Sequence, residues 1–275
     1  MKHMKRYRRP YAAGYFYPAD KDKLKEQLDW LFNIGHKDQI FDNISGLIVP
    51  HAGYIYSGKT AAFAYNTIKN RDYKTVIIIS PSHKEYFAGI SVYDGDGYIT
   101  PMGTVDVNKE IANKLTEGSD YIFQGNEGHG QEHGVEVHLP FLQYLLHNFN
   151  IVPIVMGDQS KIYIDELSKR LAESINNDTL IIASSDLSHF YSRDIAEKLD
   201  SVAEKRINEY DYEGLYLDLE HKRCEACGGG PIIAMMKSID LKAKNKSFVL
   251  DRSDSGDTTM NTDEVVGYLS AAIYS

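Results

Sequence analysis

Residues 47–60 read LIVPHAGYIYSGKT, and this stretch indicates the fold class. Its first residues belong to the apolar run 46–50, which is typical of a strand buried on both faces of a sheet. The run passes through His51 and a glycine-containing turn into a segment, 58–69, that predicts a helix. A buried strand joined by a short loop to a helix is the repeating unit of α/β proteins.

The same alternation continues along the chain. Short, apolar, β-branched segments predict further strands over 75–80, 88–93, 151–156 and 179–184, with two more over 247–252 and 264–274. Apolar periodicity predicts helices over 20–33, 58–69, 107–117, 135–147, 160–176, 192–209 and 232–238. No repeat or flexible linker interrupts this pattern. We therefore predict a basic tail over 1–8 and one α/β domain over 9–275, with a mainly parallel central sheet flanked by helices.

Composition excludes several classes of function. The 275 residues carry 30 basic and 39 acidic side chains, and a net charge of −9 argues against nucleic acid as a partner. No apolar run approaches the ~18 residues that cross a bilayer, so no membrane partner is expected. The basic N-terminus is not followed by the apolar stretch of a signal peptide. Two cysteines rule out a disulfide framework, and a cytoplasmic location is expected.

Polar residues follow three of the predicted strands. His51 follows the first strand, His83 follows the second, and Asp186 with His189 follows the strand over 179–184. Ligands of open α/β sheets bind beyond the carboxyl ends of the strands, where the loops of several strands meet. The alternative for each histidine alone is a hydrogen-bonded loop residue. Three strands that each end in such polar residues together predict one shared site.

A cysteine stands before a predicted helix in the segment RCEACGGGPII. Cys227 precedes three glycines and Pro231, and proline favours the first turn of a helix. Free N–H groups at a helix N-terminus favour the thiolate, the form that binds metals. Two other interpretations remain open, a small buried hydrophobic residue and a redox pair with Cys224, although the latter lacks the surrounding βαβ pattern.

The segment EGHGQEHGVEVHLPFL holds three more histidines. Residues 129–133 match H-x-x-E-H, an inverted zinc-protease pattern, which requires a stable helix. Glycines flank and interrupt this stretch and disfavour such a helix. A helix that begins near Gly134 would instead carry Glu136 and His138 into or beside the pocket, or into hydrogen bonds nearby.

Residues 53–60 also match the phosphate-binding pattern G-x-x-x-x-G-K-[ST]. That loop wraps phosphates with successive backbone N–H groups, which small residues permit. Here the interior is Tyr-Ile-Tyr-Ser, which makes the match poor. Asp186 at a strand end could still position magnesium, so a nucleotide hydrolase dependent on Lys59 stays open as a less favoured hypothesis.

Several blocks together resemble one family. RRPYAAGYFYP, VPHAGYIYSG, SPSH, EHGVEVHLPFL, SSDLSH, ACGGGPI and SGDTT…DEVVGYLSAAIY are similar to the Memo family, also called AmmeMemoRadiSam system protein B. The similarity runs from about Arg9 to the C-terminus. It implies a fold shared with class III extradiol dioxygenases, non-haem iron enzymes that open catechol rings. It also implies a metal-capable pocket with His51, His83 and Cys227 at the ligand positions.

The resemblance also implies the chemistry of the pocket. Those dioxygenases bind metal with two histidines and a carboxylate, whereas a cysteine stands here, so ring cleavage does not carry over. Iron is the expected metal, with copper or zinc as alternatives. His189, oriented by Asp186, would act as general acid/base or as a hydrogen-bond donor. Tyr54 and His138 would line the pocket, and metal affinity should fall below about pH 6 as imidazoles protonate.

These expectations leave two main hypotheses besides the nucleotide hydrolase. The first is a metal-dependent oxidoreductase that acts on a small-molecule or peptide ligand. The second is a non-catalytic binding or adaptor protein with a vestigial pocket. The family name suggests that either would work with a radical-SAM protein and an AMMECR-type protein. Cys224 is assigned no role.

Overall fold

The computed structural model describes residues 5–36, 39 and 41–275. Its strands are β1 (Tyr7–Arg8), β2 (Ile44–Val49), β3 (Thr75–Pro81), β4 (Ile90–Tyr93), β5 (Gly97–Thr100), β6 (Gly103–Asp106), β7 (Ile122–Gly125), β8 (Asn150–Met156), β9 (Thr179–Ser184), β10 (His189–Tyr191), β11 (Lys246–Asp254) and β12 (Val265–Tyr274). Its helices are α1 (Lys21–Ile34), α2 (Tyr54–Asn66), α3 (Lys109–Thr116), α4 (Leu139–Leu145), α5 (Lys161–Ser174), α6 (Arg193–Asn208), α7 (Tyr212–Glu220), α8 (Gly229–Asp240) and α9 (Gly256–Thr259). A 3₁₀ turn, Glu136–His138, precedes α4.

A nine-stranded sheet forms the centre of the molecule. Its order is β10-β12-β2-β9-β3-β8-β4-β7, with β11 paired to β12. The strands β2, β9, β3 and β8 are parallel, whereas β12 runs antiparallel to β2 and β4 runs antiparallel to β8. The predicted α/β domain with a central sheet flanked by helices is confirmed. The sheet is mixed, because antiparallel strands flank its parallel centre.

Burial explains why the central strands form. Every residue of β3 and β9 is buried, since helices cover both faces of the parallel centre. Helix α2 packs against β11 and β12, and helix α8 packs against β9 and β2. The parallel register pairs Val49 with Ser184, which brings the residues that follow β2 and β9 side by side. His51 and Asp186 therefore lie side by side at the carboxyl edge of the sheet.

Two predicted elements differ locally from the structure. The helix predicted over 58–69 begins at Tyr54, so most of the phosphate-loop match is helical rather than a loop. The helix predicted over 135–147 is a 3₁₀ turn followed by α4, which begins at Leu139 and carries Pro140 in its first turn. None of the helices within the described ranges is long and apolar enough to cross a membrane.

The end of the predicted basic tail belongs to the folded domain. Tyr7 and Arg8 form β1, which pairs in parallel with β5 in a separate three-stranded sheet. The Arg8 side chain is only 6% exposed, and its Nη1 lies 2.5 Å from Glu136 Oε2. Arg8 also donates to the backbone carbonyls of His129 and Glu132. The predicted boundary at residue 9 is therefore too late, because a buried carboxylate binds this arginine.

Candidate metal centre

Three predicted ligand residues meet beyond the carboxyl ends of β2 and β3. One ligand atom each from His51, His83 and Cys227 lies within 4.8 Å of the other two. The two imidazole rings are 4.8 Å apart between centroids and nearly perpendicular. Cys227 Sγ lies 3.2 Å from His51 Nε2. Two imidazole nitrogens and a sulfur in such reach form a group that can hold a metal ion.

Hydrogen bonds between loops hold Cys227 against the end of β9. The backbone N–H of Cys227 donates to the Asp186 carbonyl (3.1 Å), and the backbone N–H of Asp186 points to Cys227 Sγ (3.2 Å). Gln159 Nε2 donates to the Cys227 carbonyl at 2.8 Å. At Gly228 a Cβ would lie 2.1 Å from the Ser184 carbonyl oxygen, so only glycine permits this close approach.

A buried carboxylate orients His83. Glu132 Oε1 lies 2.9 Å from His83 Nδ1, and Oε2 accepts the His83 backbone N–H at 2.7 Å. Oε1 also accepts the backbone N–H groups of His133 and Gly134. Burial alone would raise the pKa of Glu132, but the His83 hydrogen bond and the other donors lower it to about 2. The ionised carboxylate thus accepts a hydrogen bond from the Nδ1–H of His83 and leaves Nε2 free for a metal.

Burial shifts the pKa values of three groups at the site when no metal is bound. Burial and the neighbouring histidines lower the pKa of His51, while burial raises the pKa of Asp186 to about 7. Burial, followed by the Asp186 carboxylate, raises the pKa of the Cys227 thiol. The thiolate expected from the nearby helix N-terminus is therefore not favoured, because burial outweighs the hydrogen bonds from the Asp186 and Gly228 backbones that lower the pKa. A metal ion would have to displace the thiol proton.

Asp186 contacts His51 rather than His189. Its Oδ1 accepts the His51 backbone N–H at 2.8 Å, and its Oδ2 lies 3.9 Å from His51 Nε2. Within the described ranges no hydrogen bond joins Asp186 to His189, so the predicted orientation of His189 by Asp186 is wrong. His189 begins β10 opposite Val266 and is half-buried. Asp186 faces β2 because β2 and β9 are neighbours in the sheet.

The other predicted pocket residues are committed to buried contacts. The Tyr54 hydroxyl donates to the Val137 carbonyl at 2.6 Å. Glu136 is fully buried, and besides binding Arg8 it accepts the Tyr17 hydroxyl at 2.6 Å. Glu136 therefore anchors the N-terminal segment rather than lining a substrate pocket, because all its contacts are internal.

His138 lies behind His51, away from Cys227. Its Nε2 is 2.8 Å from Ser184 Oγ, and its Nδ1 is 2.8 Å from the Tyr65 hydroxyl. Burial lowers the pKa of His138 to about 3, so the ring is neutral. These contacts place His138 as a support for the site.

The H-x-x-E-H segment contributes to the site in a way that its pattern does not indicate. His129 is buried elsewhere, where it contacts the Tyr98 hydroxyl and the Ser91 carbonyl. Residues 129–133 are not helical, so the zinc-protease interpretation is wrong. His133, by contrast, stacks on His83 with ring centroids 4.8 Å apart. Burial lowers the pKa of His133 to about 4.

A cavity of about 520 Å³ reaches the cysteine. His189, Gln159 and Cys227 lie in its wall together with aromatic and aliphatic side chains such as Tyr216 and Leu219. This size and mixed lining suit a small molecule or a peptide side chain.

The fold and the site together define a class of protein: a single-domain α/β protein with a metal-capable His/His/Cys group at the carboxyl edge of a mixed sheet. A family model described as Memo-like protein matches residues 8–272. A MEMO1 family protein of Thermoplasma volcanium is 38% identical over 264 residues, which cover 96% of this chain and 97% of that protein. A MEMO1 family protein of Saccharolobus solfataricus is 38% identical over 280 residues, covering 96% and 98%. The chain belongs to the Memo-like family, which confirms the resemblance.

A solved structure shares the fold. An uncharacterized protein from Escherichia coli K12 superposes with a TM-score of 0.56 at 12% identity, covering 84% of this chain and 100% of that one. At this identity the likeness supports the architecture alone.

Proposed function

We propose that this protein binds a metal ion through His51, His83 and Cys227 and acts as a non-haem metal-dependent oxidoreductase. The observation that carries the proposal is the convergence of these three ligand atoms within 4.8 Å. Two nitrogens and a thiolate favour transition metals over magnesium or calcium. Iron is the proposed metal, and copper and zinc are the alternatives.

The surrounding residues suit proton handling beside such a metal. A bound redox metal would supply electron transfer and Lewis acidity. Asp186, with its pKa raised to about 7 by burial, can hold or release a proton near neutral pH. His189 lies in the wall of the cavity and can donate a hydrogen bond to a small-molecule or peptide ligand there. The apolar part of that wall limits water around the ligand.

A second candidate function is a non-catalytic adaptor that works with a radical-SAM protein and an AMMECR-type protein. Exposed aromatic side chains beside the site favour a protein surface as partner. Tyr15 is 88% exposed next to Phe16, which stacks on His133, and Phe190 is 72% exposed next to His189. In this case the ligand residues would be dispensable for binding the partner.

The test is elemental analysis of protein purified anaerobically without chelators. Wild type is compared with Cys227→Ser and His51→Ala, and Cys224→Ser serves as the matched control. Circular dichroism checks the fold of each variant. We expect near-stoichiometric iron, copper or zinc in wild type and in Cys224→Ser, and loss of metal in the two ligand variants.

The outcomes separate the candidate functions. Oxygen-dependent turnover by the metal-loaded protein supports the oxidoreductase. Folded ligand variants that still bind the partner proteins support the adaptor. Little metal in every sample, even after reconstitution, would contradict the metal site itself.

A further inference from the structure

A buried chain of hydrogen bonds lies behind His51. His51 Nδ1 is 2.7 Å from Ser184 Oγ, and Ser184 Oγ is 2.8 Å from His138 Nε2. His138 Nδ1 is in turn 2.8 Å from the Tyr65 hydroxyl. All four side chains are buried, and β9, the 3₁₀ turn and α2 each supply one of the three residues behind His51.

One backbone carbonyl fixes the direction of every hydrogen bond in this chain. Ser184 Oγ also lies 2.7 Å from the Gly134 carbonyl oxygen. A carbonyl only accepts, and a serine hydroxyl carries a single hydrogen, so Ser184 donates to Gly134. Both imidazole nitrogens that face Ser184 must then donate to its two lone pairs. Otherwise lone pairs would face each other at hydrogen-bond distance in a buried site.

The directions determine the tautomers of both histidines. Neutral His51 carries its proton on Nδ1, and its Nε2 lone pair faces Cys227 Sγ at 3.2 Å. Neutral His138 carries its proton on Nε2, and its Nδ1 accepts the hydroxyl proton of Tyr65. Each polar atom of the chain thus has a partner of the correct type.

We propose that Ser184, His138 and Tyr65 are positioning residues that hold His51 in the Nδ1–H tautomer with Nε2 ready to bind a metal. The metal-binding part of this inference rests on the proposed function. None of the three touches Cys227 or the cavity; they act through His51. They do for His51 what Glu132 does for His83, with a neutral hydroxyl in place of a carboxylate.

The first test needs neither metal nor a variant. Nitrogen-15 NMR of histidine side chains, recorded on chelator-treated wild type near neutral pH, reports which ring nitrogen carries the proton. We expect the proton on Nδ1 of His51 and on Nε2 of His138. A proton on Nε2 of His51 would overturn the inference.

The second test measures metal affinity rather than activity. Zinc affinity, by competition with a chelator, is expected to fall about 10- to 100-fold in Ser184→Ala. Ser270→Ala is the matched control, because Ser270 is also a buried strand serine and its hydroxyl has no hydrogen-bond partner among the described residues. The control should keep wild-type affinity, and thermal unfolding checks both folds.

The two tests separate failure of the inference from failure of the proposed function. Wild-type affinity in folded Ser184→Ala would overturn the positioning role while the metal site stands. Wild type that binds no metal would overturn the proposed function and the positioning role together, while NMR still decides the tautomers. Should Ser184→Ala fail to fold, the NMR result on wild type decides the inference.

Discussion

At the scale of single residues, the Cys227 thiol carries the proton that a metal must displace. Burial raises its pKa, so the thiol is protonated from pH 6 to 8, whereas burial keeps His51 neutral over the same range. Metal binding should therefore release at least one proton. We expect zinc affinity to rise about tenfold per pH unit across this range. Chelator competition at pH 6, 7 and 8 measures the zinc affinity. An affinity that stays constant above pH 6 would instead support the expectation that only protonation of the imidazoles weakens binding.

Glu132, which orients His83, should also make the stability of the fold depend on pH in the acid range. Its pKa of about 2 lies below the ordinary value of 4.5, so its stabilisation is present above about pH 4.5 and is lost as pH falls toward 2. The shift corresponds to roughly 3 kcal/mol. Glu132→Gln, which resembles the protonated acid, should lose about that free energy of unfolding at pH 7, and the difference should vanish near pH 2.

Urea denaturation across this pH range measures the effect. Glu127→Gln is the control, because Glu127 lies exposed in the same loop and should change stability by less than about 0.5 kcal/mol. Glu132→Gln should also weaken zinc binding about tenfold or more, through His83. Equal stability of wild type and Glu132→Gln at pH 7 would contradict the assignment.

The sequence could identify the ligand residues but not their supports. His51 and His83 each follow a buried strand, and the carboxyl edge of a parallel sheet is a general binding location. Glu132 and Ser184 support them through contacts made only after distant segments pack. The family resemblance implies that Asp186 orients His189, whereas sheet pairing brings Asp186 to His51.

At the scale of elements, the start of α2 removes the phosphate loop. The helix begins at Tyr54, so Lys59 lies in its second turn with an exposed side chain. No run of loop N–H groups is left to wrap a phosphate. We expect no ATP or GTP binding by calorimetry in wild type, and Lys59→Ala should change stability by less than about 0.5 kcal/mol. Tight nucleotide binding abolished by Lys59→Ala would contradict this.

The two-residue strand β1 depends on a buried ion pair. The side chains of Arg8 and Glu136 are 6% and 0% exposed, so removing the arginine leaves a buried carboxylate without its cation. Arg8→Ala should therefore lower the free energy of unfolding by about 3–5 kcal/mol. Arg6→Ala is the control, because the Arg6–Asp94 pair has an arginine that is 55% exposed and should contribute about 1 kcal/mol or less. Equal effects in urea denaturation would contradict the structural role of Arg8.

Element length decided which strands and helices were predictable. The seven-residue β3 is buried throughout and stands out as an apolar run. By contrast β1, β5 and β6 have two to four residues each and carry no such run. β5 and β6 pair with each other as a short hairpin, whereas β1 forms where Arg8 binds Glu136 and the N-terminal segment pairs with β5. A contact of this kind, between residues far apart in sequence, is not visible in local pattern.

At the scale of the whole molecule, the mixed sheet brings the two ends of the chain to one core. β12 pairs with β2 on one side and with β10 and β11 on the other. Alternation of strands and helices predicted the parallel centre, since each connection there passes through a helix. The same alternation could not predict the direction of β12, because the short helix α9 also joins β11 to β12 although these two strands are antiparallel. The register of β12 follows from tertiary packing.

The metal site joins loops from three distant parts of the chain, so binding should stabilise the whole fold. His51 follows β2 and His83 follows β3, two strands that β9 separates in the sheet, while Cys227 lies about 140 residues further on. At free zinc of about 100 times the dissociation constant, binding should add about 2.7 kcal/mol and raise Tm by about 5 °C or more. Calorimetry with and without chelator measures the shift. Cys224→Ser should keep it and Cys227→Ser should lose it, because only Cys227 faces the two histidines. An equal shift in both variants would show that zinc binds elsewhere and would remove the support for the His/His/Cys site.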